Sequence, residues 1–342
     1  GGGQDGGRGG GEVGGGGGKR LRSIEKGLSD GAKILFGVLL FFIAAYIAAN
    51  AKRYSKIALD GVKLWALSVL PPLFPFFFLS SLITGTGLTE KLANVFSPFT
   101  RFFYKTGGVS AYPRIMSLIS GYPVGVRVIS DLCLSGAITS DEASDYAVIC
   151  STSGPNFIIG CVGTCFGGYG LTLFFVHLFS SFLTGVIFGF FVKTKPKSKA
   201  VIGKKTNLSL GDSVYSAVVS VLTLGGFVTI FYMLAHIFSD LKIFYPLVKI
   251  LTPVLGAAKA DGLVTGLIEC TFGCKKLAES GVDAMSLSLA SLVISFGGLS
   301  VWAQSKAYLK RANASFFKFA AAKTVQSLVS FLVAFVVFSI IL

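Results

Sequence analysis

The stretch Tyr146–Val192 reads YAVICSTSGPNFIIGCVGTCFGGYGLTLFFVHLFSSFLTGVIFGFFV and contains no Lys, Arg, Asp or Glu. A membrane-spanning helix needs about 20 predominantly apolar residues, so these 47 residues are long enough for two spans. The glycine-rich Gly167–Gly170 predicts the turn between them. Five more uncharged runs are long enough for one span each: Ile34–Ala51, Leu64–Thr89, Ser213–Ser239, Ala284–Ser305 and Thr324–Leu342. The sequence therefore predicts about seven spanning helices.

The composition agrees with a membrane protein. The 342 residues are 52% hydrophobic and only 14% charged, whereas soluble domains carry about 25% charged residues. The net charge of +15 would suggest nucleic acid in a soluble protein, but here the basic residues flank apolar runs, where they act as orientation signals. We expect a multi-pass protein of the inner (cytoplasmic) membrane, with the lipid bilayer as its surroundings and no nucleic acid as a partner.

The loops between the runs predict the domain organisation and the orientation. Residues 1–30 are rich in Gly and then in basic residues, and we expect this tail to be disordered. Residues 31–55 follow as the first transmembrane helix, with the N-terminus cytoplasmic. The Lys-rich linker 193–212 and the basic loop Lys306–Lys318 are also predicted to be cytoplasmic by the positive-inside rule, which places the C-terminus outside.

The linker separates two halves, residues 56–192 and 213–342, that follow the same plan. Each has a long span, a Pro-containing segment, a Gly-punctuated stretch, an apolar segment broken in its middle, and a final span. Three full crossings per half is an odd number, so the second copy must be inverted, as in many secondary transporters. The predicted fold is all-α, with about seven spanning helices plus two re-entrant hairpins in two inverted repeats; the alternative is a chance similarity of two hydrophobic halves.

The broken segment of the first half contains Ser151-Thr-Ser-Gly-Pro-Asn156. Pro and Gly weaken a helix, and backbone groups freed at membrane depth must be satisfied by protein or by a polar cavity. One interpretation is a kink satisfied by its own Ser and Thr hydroxyls. The other is an unwound segment whose carbonyls, together with Ser151, Ser153 and Asn156, face a solute or ion site.

Glu269 stands in the apolar stretch GLVTGLIECTFG at 262–273. Ionisable residues inside a membrane are rare and point to function. A carboxylate at this position could accept hydrogen bonds from a solute or exchange a proton. The alternative is an ion pair with Lys275 or Lys276 at the end of a re-entrant hairpin.

Other polar residues have simpler interpretations. Arg127 and Asp131 have the i, i+4 spacing of an ion pair, and His177 and His236 are expected to be hydrogen-bonded packing residues. The cysteines are interpreted as small buried hydrophobes, with metal or redox use as the alternative: Cys133, Cys150, Cys161, Cys165, Cys270 and Cys274. None of the common nucleotide-binding, zinc-protease or serine-hydrolase motifs occurs. We therefore predict neither enzyme activity nor a cofactor.

Three motifs carry a family resemblance. SGYPVG at 120–125, STSGPNF at 151–157 and FGGLSVWAQ at 296–304 resemble the nucleoside-recognition (Gate) domain membrane proteins, and among them the sporulation integral membrane proteins of the YlbJ type. More distantly, the second-half motifs are similar to those of concentrative nucleoside transporters. In those transporters a hairpin Glu and a broken-helix Asn and Ser hold the ribose, and sodium or protons drive uptake.

The chain departs from the transporter motif at two positions. Gly298 stands where that motif has its Asn, and Val301 stands where it has a ribose-contacting Ser. The resemblance therefore implies the scaffold and a role for Glu269 more than it implies a nucleoside. The candidate solute ligands are polar residues of these motifs together with the hairpin carboxylate: Ser120, Ser151, Ser153, Asn156, Glu269, Ser295, Ser300 and Gln304.

The resulting functional prediction is a transporter-like protein that binds or moves a small polar solute, with nucleoside-like compounds among the candidates, at the interface of the two repeats. Sodium or a proton is the expected coupling ion, and a homo-oligomer is a further expectation. The resemblance also implies a role in sporulation. The rival prediction is a non-transporting membrane component of a sporulation or envelope assembly.

Overall fold

The computed structural model describes residues 30–84, 88–192 and 209–342. The predicted disordered tail and most of the Lys-rich linker lie outside these residues. Every regular element in the described part is helical, and no strand occurs there, which confirms the all-α prediction. The contacts divide the chain after Lys56: the described residues up to that point form one unit, and Ile57–Leu342 form a second.

The N-terminal unit contains helix α1 (Asp30–Ala49) and the first turns of α2 (Ala51–Leu64). The helix is interrupted at Asn50, whose side chain donates a hydrogen bond to the carbonyl of Tyr46 at 3.0 Å. Tyr46 and Tyr54 pack across the break with ring centroids 5.6 Å apart. The single helix predicted over 31–55 is therefore interrupted, because Asn50 supplies a local hydrogen bond that competes with the helical backbone.

In the rest of the first half, α2 continues into a π-helical turn, Trp65–Val69. Five helices follow: α3 (Leu70–Thr84), α4 (Leu88–Phe99), α5 (Ala111–Ser120), α6 (Val124–Leu134) and α7 (Ser140–Ile149). A π-helical segment, Asn156–Val162, follows the break after α7, and α8 (Gly170–Gly189) closes the half. The turn predicted at Gly167–Gly170 lies directly before α8, with positive φ at Gly167 and Gly168.

The second half contains seven helices: α9 (Leu210–Asp240), α10 (Tyr245–Leu255), α11 (Ala257–Ile268), α12 (Cys270–Glu279), α13 (Ala284–Phe296), α14 (Gly298–Arg311) and α15 (Phe316–Ile341). The first of them begins at a capping box, in which Ser209 and Asp212 satisfy each other's backbone amides. The last packs along α13 and α8.

Four stretches among the described residues are long and apolar enough to cross a membrane: Gly170–Gly189, Leu210–Asp240, Ala284–Arg311 and Phe316–Ile341. A bent pair, Ile34–Ala49 with Ala51–Leu67, makes a fifth if it counts as one span. The span predicted in the uncharged run Leu64–Thr89 is divided by the π-helical turn and carries Pro75 inside α3. Proline has no amide hydrogen to donate, which accounts for the irregularity of that segment.

The surface of α15 shows what surrounds the protein. Its buried face includes the polar residues Lys323, Gln326 and Ser330, each at most 2% exposed. Its outer face is apolar, with Leu332 and Val336 both at least 60% exposed. This distribution is the reverse of that in a water-soluble helix and is the one that lipid requires. The protein is a multi-pass membrane protein.

Smaller sequence predictions can be compared with the structure. Arg127 and Asp131 form the expected ion pair, with Nε and Oδ2 3.7 Å apart. Cys150, Cys270 and Cys274 are buried, as interpreted. Cys165 is exposed, contrary to the prediction, because it ends the short helical turn Gly163–Cys165 beside the turn that leads into α8.

Candidate functional site

Two helical hairpins place their tips in the interior. The first joins α5 to α6 through Gly121–Pro123, and the second joins α11 to α12 at Glu269, whose backbone is extended. Gly121 has φ +84°, and a Cβ there would lie 2.6 Å from the amide nitrogen of Gly154. Glycine is therefore required at Gly121 both for its backbone conformation and for the contact between the first tip and the unwound chain.

The chain after α7 is unwound over 151–154, in agreement with the second of the two interpretations, whereas Asn156 begins the π-helical segment. The Thr152 amide donates to Ser117 Oγ at 2.9 Å, and the Ser153 amide donates to His177 Nε2 at 2.9 Å. Both acceptors belong to other helices, α5 and α8. The kink is therefore not satisfied by its own hydroxyls alone, because the surrounding helices accept its freed amide hydrogens.

The second break lies at Gly297, which has φ +84° between α13 and α14. It is tied to the first half by two residues. Tyr122 on the first hairpin tip donates a hydrogen bond to the Ile294 carbonyl at 2.7 Å, and His177 Nδ1 lies 2.9 Å from Ser295 Oγ. One histidine thus connects the two broken segments.

Both tips and both breaks line one cavity of about 130 Å³. Its polar lining contains six of the predicted site residues: Ser120, Ser153, Asn156, Glu269, Ser300 and Gln304. Leu73, Phe76, Leu224 and Val228 form an apolar wall. An apolar pocket with a few convergent polar groups is typical of small-molecule sites.

Ser151 and Ser295 do not line this cavity. The Ser151 carbonyl accepts a hydrogen bond from Lys323 Nζ at 3.1 Å, and the Ser295 hydroxyl contacts His177. Both serines are buried behind the cavity. Their positions in the broken segments suggested a role as ligands, but the local backbone turns their polar groups toward α15 and α8.

Glu269 is 5% exposed and begins α12 as its N-cap. Its Oε2 accepts a hydrogen bond from the Phe272 amide at 2.7 Å. Lys276 Nζ binds Asp261 Oδ2 at 2.8 Å, and Lys275 Nζ lies 4.0 Å from Glu279 Oε1. The alternative pairing of Glu269 with one of these lysines is wrong, because both have other carboxylate partners. The carboxylate is held instead by the helix N-terminus, where negative charge is stabilised.

Sequence reasoning missed four residues at or behind the cavity. Tyr122 and Thr271 lie on the hairpin tips and line it, while His177 and Lys323 hold the unwound segment from behind. Lys323 could have been identified from the sequence, because an ionisable residue at membrane depth points to function. It stands at the edge of an uncharged run, which made it look like the end of a span.

The described residues contain no group of three His, Cys, Asp or Glu side chains that could hold a metal ion. The polar atoms around the cavity are hydroxyls, amides and one carboxylate. These groups can donate hydrogen bonds to a neutral or cationic organic solute and accept hydrogen bonds from it.

No model of a known protein family matches this chain, and no solved structure matches it. A curated protein is similar over most of its length. The sporulation integral membrane protein YlbJ of Bacillus subtilis (strain 168) is 25% identical over an alignment of 338 residues, which covers 87% of this chain and 81% of that protein.

This similarity confirms the part of the predicted resemblance that concerns the YlbJ type. The relative's name describes an integral membrane protein, in agreement with the apolar helices of this chain. The wider resemblance to Gate-domain proteins and to concentrative nucleoside transporters stays a prediction.

Proposed function

We propose that this protein is a transporter-like membrane protein that binds or moves a small polar solute in the cavity between the hairpin tips and the broken helices. The observation that carries the proposal is the convergence of both tips and both breaks on one cavity with the buried Glu269 in its wall. Interrupted helices at membrane depth are tolerated where they line a cavity, and transporters use them to build their solute sites.

The proposed architecture is two inverted repeats with about seven crossings and two re-entrant hairpins. It is supported by the order of elements, since a hairpin, a broken helix and a long final helix follow one another in each half: α5–α6, α7 with Asn156–Val162, and α8 in the first, and α11–α12, α13–α14 and α15 in the second. The proposed orientation keeps the N-terminus and both Lys-rich loops in the cytoplasm and the C-terminus outside.

The chemistry of the cavity restricts the solute. Glu269 can accept hydrogen bonds from hydroxyl or amino groups, and Asn156 and Gln304 carry both donors and acceptors. The Leu and Phe side chains of the opposite wall suit a flat or apolar face of the same molecule. A solute with several hydrogen-bond donors and one apolar face, as a nucleoside has, satisfies both walls.

The proposal includes a role in sporulation, which the similarity to YlbJ supports. The relative's name gives no solute, so it fits equally well with the rival proposal, a non-transporting membrane component of a sporulation or envelope assembly. The rival has no need of a ligand in the cavity, and ligand binding therefore separates the two.

A thermal-shift screen of the purified full-length protein tests the proposal. The panel would contain nucleosides, nucleobases, amino acids and small carboxylic acids such as dipicolinate. A compound that binds only the folded protein raises its apparent stability, by about 2.7 kcal/mol at 100 times Kd. Stabilisation by one class that is lost in Glu269→Gln and kept in Glu279→Gln supports the cavity as the site. A panel without any stabilising compound favours the rival.

A further inference from the structure

Lys323 lies in the middle of the packed helices without a negative partner. Its side chain is 1% exposed on α15, and no carboxylate among the described residues lies within ion-pairing distance of it. Asp145, which contacts the same helix, is bound to Lys318 with Oδ1 and Nζ 2.7 Å apart. A buried, unpaired ammonium is costly in a protein interior and more so at membrane depth.

The groups around Lys323 Nζ are the kind that bind a monovalent cation. The ammonium donates to the Ser151 carbonyl and to Gln326 Oε1, both at 3.1 Å, and lies 5.3 Å from the centre of the Tyr122 ring. A carbonyl, an amide oxygen and an aromatic face all attract positive charge without carrying a negative charge. A divalent ion prefers carboxylates, so this set favours a single positive charge.

The carbonyls in question belong to the end of a broken helix. α7 ends at Ile149, and the Ile149 carbonyl accepts a hydrogen bond from Arg114 Nη1. Ser151, two residues further, is the partner of Lys323. The negative end of the α7 dipole therefore meets two basic side chains. In transporters built from broken helices, unwound carbonyls and helix C-termini at this kind of position coordinate the coupling ion.

We propose that the Lys323 ammonium is a built-in cation that takes the position of a metal cation at the first break, and that a small monovalent cation can bind there once the side chain is shortened. Polar capacity for such an ion is present, since Ser151 Oγ is buried and has no hydrogen-bond partner among the described residues. The consequence for the solute, which rests on the proposed function, is that solute binding needs no sodium ion at this break.

The test measures the thermal midpoint of the purified full-length protein at equal ionic strength in sodium, potassium, ammonium or N-methylglucamine chloride. The wild type is expected to give the same midpoint in all four salts. Lys323→Ala should have a lower midpoint in N-methylglucamine and a saturable rise in at least one of the small cations, roughly 5 °C at 100 times Kd. Lys323→Met should stay low in every salt, because the methionine side chain fills the space.

Lys310→Ala is the control, since Lys310 is an exposed lysine in the last turn of α14. Its midpoint should not respond to the choice of cation. A saturable, sodium-specific rise in the wild type would overturn the proposal. So would a Lys323→Ala variant with one midpoint in all four salts, or one that fails to fold in every salt although the cation was supplied. The readout is stability, so it is independent of whether a solute is found.

Discussion

His177 Nδ1 lies 2.9 Å from Ser295 Oγ, which joins the last helix of the first half to the broken helix of the second. The opposite ring nitrogen accepts the Ser153 amide hydrogen at 2.9 Å. That bond requires an unprotonated Nε2, so a neutral ring places its proton on Nδ1, where it is donated to Ser295 Oγ. The ring is fully buried and acts as a fixed spacer between the two breaks.

The first prediction concerns this connection. His177→Ala leaves the Ser153 amide without its partner and should lower the free energy of unfolding by about 3 kcal/mol, since each unsatisfied buried group costs about 1–3 kcal/mol. Ser295→Ala should cost about 1 kcal/mol. Denaturant unfolding of both single variants and the double variant should show a coupling of about 0.5–3 kcal/mol. Additive losses would show that the two residues act independently.

The second prediction concerns the first hairpin tip. Gly121→Ala should destabilise the protein more than Gly256→Ala does. Both glycines combine a positive φ, +84° and +78°, with an extended ψ, −177° and 154°, and share a conformational cost of about 1–3 kcal/mol. Only at Gly121 would the new Cβ meet the backbone of Gly154, while nothing lies within 4 Å at Gly256. The difference between the two thermal midpoints measures the contact, and equal midpoints would mean that the tip moves away freely.

The third prediction concerns pH. Asp283 caps α13 just before the span and accepts hydrogen bonds from Lys259 Nζ at 2.7 Å and from the Ser286 amide at 2.8 Å. Burial alone would raise the pKa of Asp283, but these hydrogen bonds hold it below its ordinary value. The stabilisation is therefore present above the unfolded-state pKa of about 3.9 and is lost as the pH falls through the lower folded-state pKa.

Comparison of thermal midpoints with Asp283→Asn checks this expectation. The wild type should be the more stable protein at pH 7, and its advantage should shrink as the pH falls from about 5 to about 3. A stability advantage that is constant over this pH range would show that the ionised carboxylate of Asp283 is not its source.

The fourth prediction concerns orientation. Single cysteines placed in 193–212 or at the exposed positions Lys310, Arg311 and Asn313, in an otherwise cysteine-free protein, should not react with a membrane-impermeant thiol reagent in intact cells. They should react after the cells are permeabilised. The reason is the density of Lys and Arg in these short loops. Labelling of either loop in intact cells would reverse the proposed topology.

The helix breaks and the hairpin carboxylate could be predicted from sequence because their composition is costly in lipid. Pro155 with its neighbouring serines, Gly297 and Glu269 each violate the rule that a span is apolar and regular. Such violations stand out against long uncharged runs. The element order in each half could be predicted for the same reason.

The direction of individual side chains could not be predicted. Ser151 and Ser153 are two residues apart in the same unwound segment, yet only Ser153 lines the cavity, because helical periodicity does not apply to unwound chain. Lys275 and Lys276 are paired with Glu279 and Asp261, respectively. The second pairing could not be predicted because Asp261 is distant along the chain. His177 looked like an isolated packing residue, since both of its partners come from other segments.

The central claim is that Glu269 holds a solute in the cavity, and the most direct measurement is the Kd of any compound found in the screen for the wild type, Glu269→Gln and Glu279→Gln. A hydrogen bond to a charged group is worth about 1.5–3 kcal/mol, so Glu269→Gln should weaken binding roughly ten- to a hundredfold. Glu279, with a side chain 63% exposed on the same helix, provides the control and should leave the Kd unchanged. Glutamine keeps the shape of the Glu269 side chain and removes a charge from membrane depth, so folding should survive. Equal Kd values for the wild type and Glu269→Gln would contradict the account and leave Glu269 as the cap of α12 alone.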